Sequence, residues 1–155
     1  MKGTPASFSL LNYRIIEAEL KIPKEEGNIP ISSGFSPSGV FYPESGIFEL
    51  TFKVIIYKLE NPSDYILKAT VLSEFKFVEK INFEEIPAYF YKNIIAIIFP
   101  YVRSFVSMIS SQGNNNAMIL PVLNLSNLEK PLRENTIISS LKSPETTSGS
   151  VLPPA

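Results

Sequence analysis

From Phe8 onward, apolar and polar residues alternate. Leu11, Tyr13 and Ile15 fall on one side of an extended chain, and Leu10, Ile16, Leu20 and Ile22 on the other. Glu17, Glu19 and Lys21 then turn the first side toward solvent, so the spacing predicts a strand over 8–22, stopped by Pro23. Residues 24–46 are punctuated by Gly27, Pro30, Gly34, Pro37, Gly39, Pro43 and Gly46. They leave room for an irregular second strand over 31–42, placed at a sheet edge because proline cannot donate to a ladder. A third strand follows over 47–60, with Phe48, Leu50, Phe52, Val54 and Ile56 on one face against Glu49, Thr51 and Lys53. Asn61-Pro62-Ser63-Asp64 reads as a turn. A fourth strand over 65–80 places Tyr65, Leu67, Ala69, Val71, Phe75 and Phe77 on one face and Lys68, Thr70, Glu74 and Lys76 on the other. The short connection makes the last two strands an antiparallel hairpin.

The period then lengthens. Glu84 and Glu85 before Pro87 suit a helix N-terminus, where the helix dipole favours negative charge. Helical spacing extends to Gln112 in one or two segments, with an interruption expected at Pro100. Past that proline, Val102, Phe105, Val106 and Ile109 share one apolar face. Gly113 with Asn114, Asn115 and Asn116 supplies a stop. The helix then leads into an apolar run, Ala117 to Leu125, interrupted by Pro121. That much apolar surface on a proline-broken segment points to a contact surface. Ser126 with Glu129 three residues later resembles a capping box, and Pro131 keeps any second helix short.

At 155 residues and 45% hydrophobic content, the chain fits one domain with a substantial core, residues 8–142. Residues 1–7 and the Pro/Ser/Thr-rich 143–155 are expected to be disordered. A net charge of -1, from 14 basic and 15 acidic side chains, offers no footprint for nucleic acid. There is no Cys, His or Trp. Thiolate chemistry, disulfides, imidazole bases and the usual metal-ligand sets are therefore excluded, and no enzyme, metal or cofactor is expected. The N-terminus lacks a signal-peptide pattern, and the longest apolar run, Ile94–Val102, is nine residues. The expected location is cytoplasmic, without integral membrane association.

The helix and its sequel resemble the SecB family of protein-export chaperones. Phe99-Pro100-Tyr101-Val102-Arg103 is similar to that family's Phe-Pro-Tyr-Ala-Arg helix opening. Ser107 to Gly113 is similar to its Ser-Met-Val-Ser-Arg-Gly ending, and Leu120-Pro121-Val122-Leu123-Asn124-Leu125 to its Leu-Ala-Pro-Val-Asn-Phe segment. Four preceding strands agree in order. The resemblance implies an α+β fold: a four-stranded antiparallel sheet with a long helix and a short second helix packed on one face. It implies a homotetramer, a dimer of dimers, with Tyr101, Val102, Phe105, Val106 and Ile109 at the interface. It also implies an ATP-independent holdase for unfolded polypeptide clients such as preproteins. Client contacts would come from Phe35, Phe41, Tyr42, Met118, Leu120, Val122, Leu123 and Leu125. In the family, acidic residues on the first strand touch the SecA motor ATPase, which maps to Glu17 and Glu19; Lys21 stands at the second acidic position, and Leu125 replaces the family's Phe.

Each of these residues has a plainer reading. The helix face Val102–Ile109 is more often core than client site. Phe35, Phe41 and Tyr42 would serve as loop anchors, and the Ala117–Leu125 run as a buried strand. Glu84 and Glu85 are explained by the helix dipole without catalysis. Two other functions fit the same pattern: a dedicated chaperone of an antitoxin, and an interaction module for one folded partner.

Overall fold

A computed structural model of the chain describes residues 7–24, 27–113, 116–120 and 124–140. The expected tail 143–155, nearly all of the expected N-terminal segment, and Val122 and Leu123 lie outside the described residues. The elements are β1 (Phe8–Leu20), β2 (Ile31–Tyr42), β3 (Ile47–Lys58), β4 (Asn61–Phe77), α1 (Ala88–Gln112), α2 (Glu129–Glu134) and β5 (Thr136–Ile138). Short 3₁₀ turns, Phe83–Glu85 and Leu125–Leu128, precede the two helices. The architecture is α+β, with one sheet ordered β1-β4-β3-β2-β5.

The alternation works as the sequence predicts from Phe48 to Ile56 and from Leu67 to Phe77, but Tyr65, expected beside Leu67, lies beyond a register shift and its hydroxyl meets Glu19 of β1 instead. Phe48, Leu50, Phe52, Val54 and Ile56 are all buried, as are Leu67, Ala69, Val71, Phe75 and Phe77. The strands pair antiparallel, Phe48 opposite Phe75 and Ile56 opposite Leu67. Lys58 pairs Asn61 and Tyr57 pairs Tyr65, so β4 begins within the expected turn, and Pro62–Asp64 bulge out of the ladder.

β1 departs from its simple alternation. It pairs β4 with register shifts between Leu10 and Asn12 and between Ile15 and Glu17. Each shift inserts a residue and resets the period of two. Tyr13 (opposite Ser73) and Ile15 (opposite Val71) thus join Leu10 and Leu20 on the helix side, while Glu17 and Glu19 face the open side. The predicted separation of Tyr13 and Ile15 from Leu10 and Leu20 is corrected by these bulges.

β2 is regular rather than irregular. It pairs β3 in unbroken register from Ile31–Lys58 to Tyr42–Ile47. Its edge position holds only in part: β5 adds a short parallel strand over Gly39–Phe41, with Gly39 opposite Thr136 and Phe41 opposite Ile138, while Ile31–Ser38 pairs β3 alone among the described residues. A fifth strand of three residues is too short to show a period. The β2–β3 turn closes with Gly46 at φ +70, a left-handed position that suits glycine, and its N–H donates to Tyr42 O at 2.9 Å.

α1 is one continuous helix across Pro100. Pro100 and Ala96, four residues earlier, sit on its exposed side, where water can serve the carbonyl that proline leaves without a donor. Its other side, from Phe90 and Tyr91 through Ile94, Ile98, Val102 and Val106 to Ser110, is buried on the sheet. By length and composition α1 could also cross a membrane, but here its apolar side forms the core of the fold. The second helix is capped differently from expectation. Asn124 caps the 3₁₀ turn before it, its side chain accepting from Ser126 N at 3.2 Å, and α2 itself begins after Leu128 with no side-chain cap. The following α2 spans six residues and inserts Leu132, fully buried, into the core.

Candidate functional site

After α1 the chain turns back along the helix. Met118 N–H donates to Ser110 Oγ at 2.7 Å, and Ser107 Oγ donates to Met118 O at 3.1 Å. Arg103 Nε donates to Leu120 O at 3.1 Å. Leu120 is 3% exposed and anchors the segment in the core, whereas Ile119 beside it is 72% exposed. An apolar side chain that open, on a held backbone, marks a surface rather than a core.

Two cavities flank this segment. One, of about 220 Å³, lies between Met118–Leu120 and Ile31, Ser32, Ser33 and Ile56. The other, of about 320 Å³, lies toward the β1–β2 connection, lined by Pro23, Ile29, Ile31, Ile66, Met118 and Ile119 among others. Ile31, Met118 and Ile119 border both. The result is a groove partitioned by the returning segment, mostly apolar on the β2 side and mixed toward the β1–β2 connection, where Asn28 and Asn116 join the lining. Among the described residues that line it, none is charged and none forms a nucleophile–base pair. Its chemistry is the removal of apolar surface from water.

The residues nominated from sequence divide. Met118 and Leu120 belong to the groove wall, and Leu125 is half-buried against the core. Phe35 is partly buried on the helix side of β2, 5.7 Å from the Phe52 ring and 5.8 Å from the Phe99 ring. Phe41 is fully buried beside Phe77 at 5.9 Å, so it is core rather than surface. Tyr42, the next residue, falls on the opposite face of the sheet. The structure therefore does not bring Phe35, Phe41 and Tyr42 together. The other walls, Ile29, Ile31, Ile56 and Ile66, were missed in the sequence because each looks like an ordinary strand or loop residue.

The helix residues nominated for assembly also divide. Val102 and Val106 are buried in the protomer's own core, and Phe105 and Ile109 are partly buried against it. Tyr101 is exposed and stacks on Tyr13 of β1 at 4.3 Å. It shares the outer side of α1 with exposed Ile97 and Met108, and Tyr13 shares the helix side of β1 with exposed Ile15. This mixed helix–strand apolar surface was legible only at Tyr101.

Glu17 and Glu19 lie on the opposite, open face of the sheet. They border a concavity of about 340 Å³ with Lys53, Lys68 and Thr70. Glu19 accepts from the Tyr65 hydroxyl at 2.9 Å, and Lys21 and Lys68 each sit about 4 Å from the Tyr65 ring. The contact with Tyr65 raises the Lys21 pKa above its ordinary value. Carboxylates and ammonium groups thus alternate here rather than forming an acidic patch. Among the described residues, no three His, Cys, Asp or Glu side chains come together as a metal site.

The chain matches no protein-family model and no curated protein. Its fold is similar to a solved structure from Mycobacterium tuberculosis, the SecB-like chaperone Rv1957 in complex with a ChAD peptide from the Rv1956 HigA1 antitoxin. The TM-score is 0.62 at 14% identity, covering 76% of this chain and 88% of that one. A Streptococcus agalactiae protein of unknown function is also similar, with a TM-score of 0.46 and 5% identity over 77% of this chain and 100% of that one. The fold is SecB-like, as the resemblance of the helix and its sequel implies.

Proposed function

We propose that this chain, built on a SecB-like fold, is an ATP-independent chaperone that holds extended apolar segments of unfolded polypeptides in the groove around Met118 and Ile119. The observation that carries this reading is the pair of cavities either side of an exposed isoleucine, one walled mostly by apolar side chains and one shared between apolar side chains and Asn28 and Asn116. Burying apolar surface stabilises by roughly 25 cal/mol per Å², so a groove gathers affinity from several modest contacts without requiring one sequence. Methionine and aliphatic walls repack around different side chains, which suits a promiscuous site.

The client class includes preproteins and antitoxin segments. The antitoxin reading draws support from the similar Mycobacterium tuberculosis chaperone, whose structure holds an antitoxin peptide. The proposed assembly is a homotetramer in the cytoplasm, with the Tyr101–Ile97–Met108 side of α1 and the neighbouring β1 surface as the subunit contact. Contact with a SecA motor is assigned to the open sheet face at Glu17 and Glu19, where Lys53 and Lys68 offset the acidic charge.

The test is aggregation suppression combined with native mass. The expected result is a tetramer that slows aggregation of a reduced, unfolded substrate without nucleotide. A strict monomer with no effect on aggregation would overturn the reading. Capture of one folded partner at fixed stoichiometry, with no unfolded ones, would replace it with the single-partner module.

A further inference from the structure

We propose that Arg103, Ser107 and Ser110 are positioning residues that set the shape of the groove by lashing its wall to α1. This rests on the reading of the groove as a polypeptide site. The three residues stand at i, i+4 and i+7 on the helix, hence on one face. The returning segment meets them in reverse order: Met118 at Ser110 and Ser107, and Leu120 at Arg103.

Both backbone polar groups of Met118 are held by helix side chains instead of a neighbouring strand. Ser110 is 0% exposed, and its hydroxyl donates to Val106 O at 2.8 Å. Its proton is thereby committed, leaving a lone pair directed at the Met118 N–H. Serine is a modest helix former, and a buried hydroxyl requires a partner. Here the hydroxyl gives its proton to the helix and its lone pair to the groove wall. With Met118 pinned and Leu120 anchored in the core, Ile119 is fixed between the two cavities. A wall that is already ordered loses less conformational entropy on binding than one ordered by the client.

A structural role and a positioning role give different results in the same variants, because replacing serine by alanine favours the helix itself. The experiment uses the full chain. It reads Met118 amide exchange by NMR, the thermal midpoint, and the Kd for fluorescently labelled, reduced and carboxymethylated α-lactalbumin. Ser110→Ala is expected to speed Met118 exchange about tenfold, one hydrogen bond's protection. Ser107→Ala with Ser110→Ala is expected to weaken probe binding about tenfold with no fall in thermal midpoint. Ser107→Thr, which keeps the hydroxyl at a half-buried position, is expected to bind like the wild type.

Unchanged Met118 exchange in Ser110→Ala would overturn the lashing. So would wild-type affinity in the double variant, or a loss of affinity matched by a loss of thermal stability. A wild-type chain that does not bind the probe would overturn the polypeptide-site reading, while Met118 exchange would still decide whether the wall is lashed.

Discussion

The two ends of the sheet are built from different materials. At one end Phe90 of α1 has Phe8, Phe48, Phe75, Phe77 and Tyr91 within 6.4 Å of its ring, mostly edge to face. At the other end the strands carry Ile31, Ile56, Ile66 and Leu67, the helix ends in serines, and both groove cavities open there. Interlocked rings fill space with little slack. Aliphatic side chains under a lashed segment leave room. The difference teaches that tight ring packing holds one end of the fold, while the aliphatic end keeps the open space that the proposed site would use.

The strongest way to break that comparison is Phe90→Ala. With Phe90 fully buried, the loss is expected to be about 3–5 kcal/mol in chemical denaturation. A loss below about 1 kcal/mol would show that the ring cluster does not carry the fold. Gly39→Ala probes the same end on a smaller scale. A Cβ there would lie 2.4 Å from Phe48 Cζ, and the overpacking is expected to cost about 1–3 kcal/mol. Pairing it with Phe48→Leu should recover part of that loss, and strict additivity would sink the explanation.

The open end should respond the other way. Ile119→Asp is expected to change stability by no more than about 0.5 kcal/mol, since the side chain is largely exposed. The same change should weaken binding of an unfolded probe about tenfold, the equivalent of losing most of one buried isoleucine. Wild-type affinity would show that clients do not use this wall.

The smallest effect is a pH dependence at the aromatic end. Burial raises the Tyr91 pKa, with Arg133 partly opposing it. A raised phenol contributes stability that is complete below the unfolded tyrosine value, near 10, and is lost as pH rises through the folded value. Urea midpoints should therefore fall above about pH 10 in the wild type and fall less in Tyr91→Phe. Parallel curves for the two proteins would count against the burial argument.

Much of the aromatic end was legible. β3 keeps a period of two from Phe48 to Ile56 and β4 from Leu67 to Phe77, and their phenylalanines are core as read. β1 was misread because Leu11 and Ile16 sit at bulges, which no alternation count detects. The break expected at Pro100 failed because its missing hydrogen bond falls on the exposed side of α1. At the open end the apolar sequel to the helix was visible through Met118 and Leu120. The opposing walls were not, because nothing local distinguishes Ile31 or Ile66 from other strand residues. Choosing aromatic residues in the Gly/Pro-rich stretch led to Phe41, whose ring the core consumes.

The two bulges in β1 bear on how a chain proposed to hold unfolded segments avoids becoming a nucleus for fibres. Among the described residues β1 has a ladder partner on one side only, β4, and it carries exposed Leu11 and Ile16. A flat strand of that kind would recruit any extended chain by edge-to-edge zipping. The register shifts divide it into runs of three, four and four paired residues, Phe8–Leu10, Asn12–Ile15 and Glu17–Leu20. The bends between them leave an incoming strand only short stretches of matched backbone. The edge is thus unsuited to growing a sheet from the unfolded chains that the groove is proposed to hold.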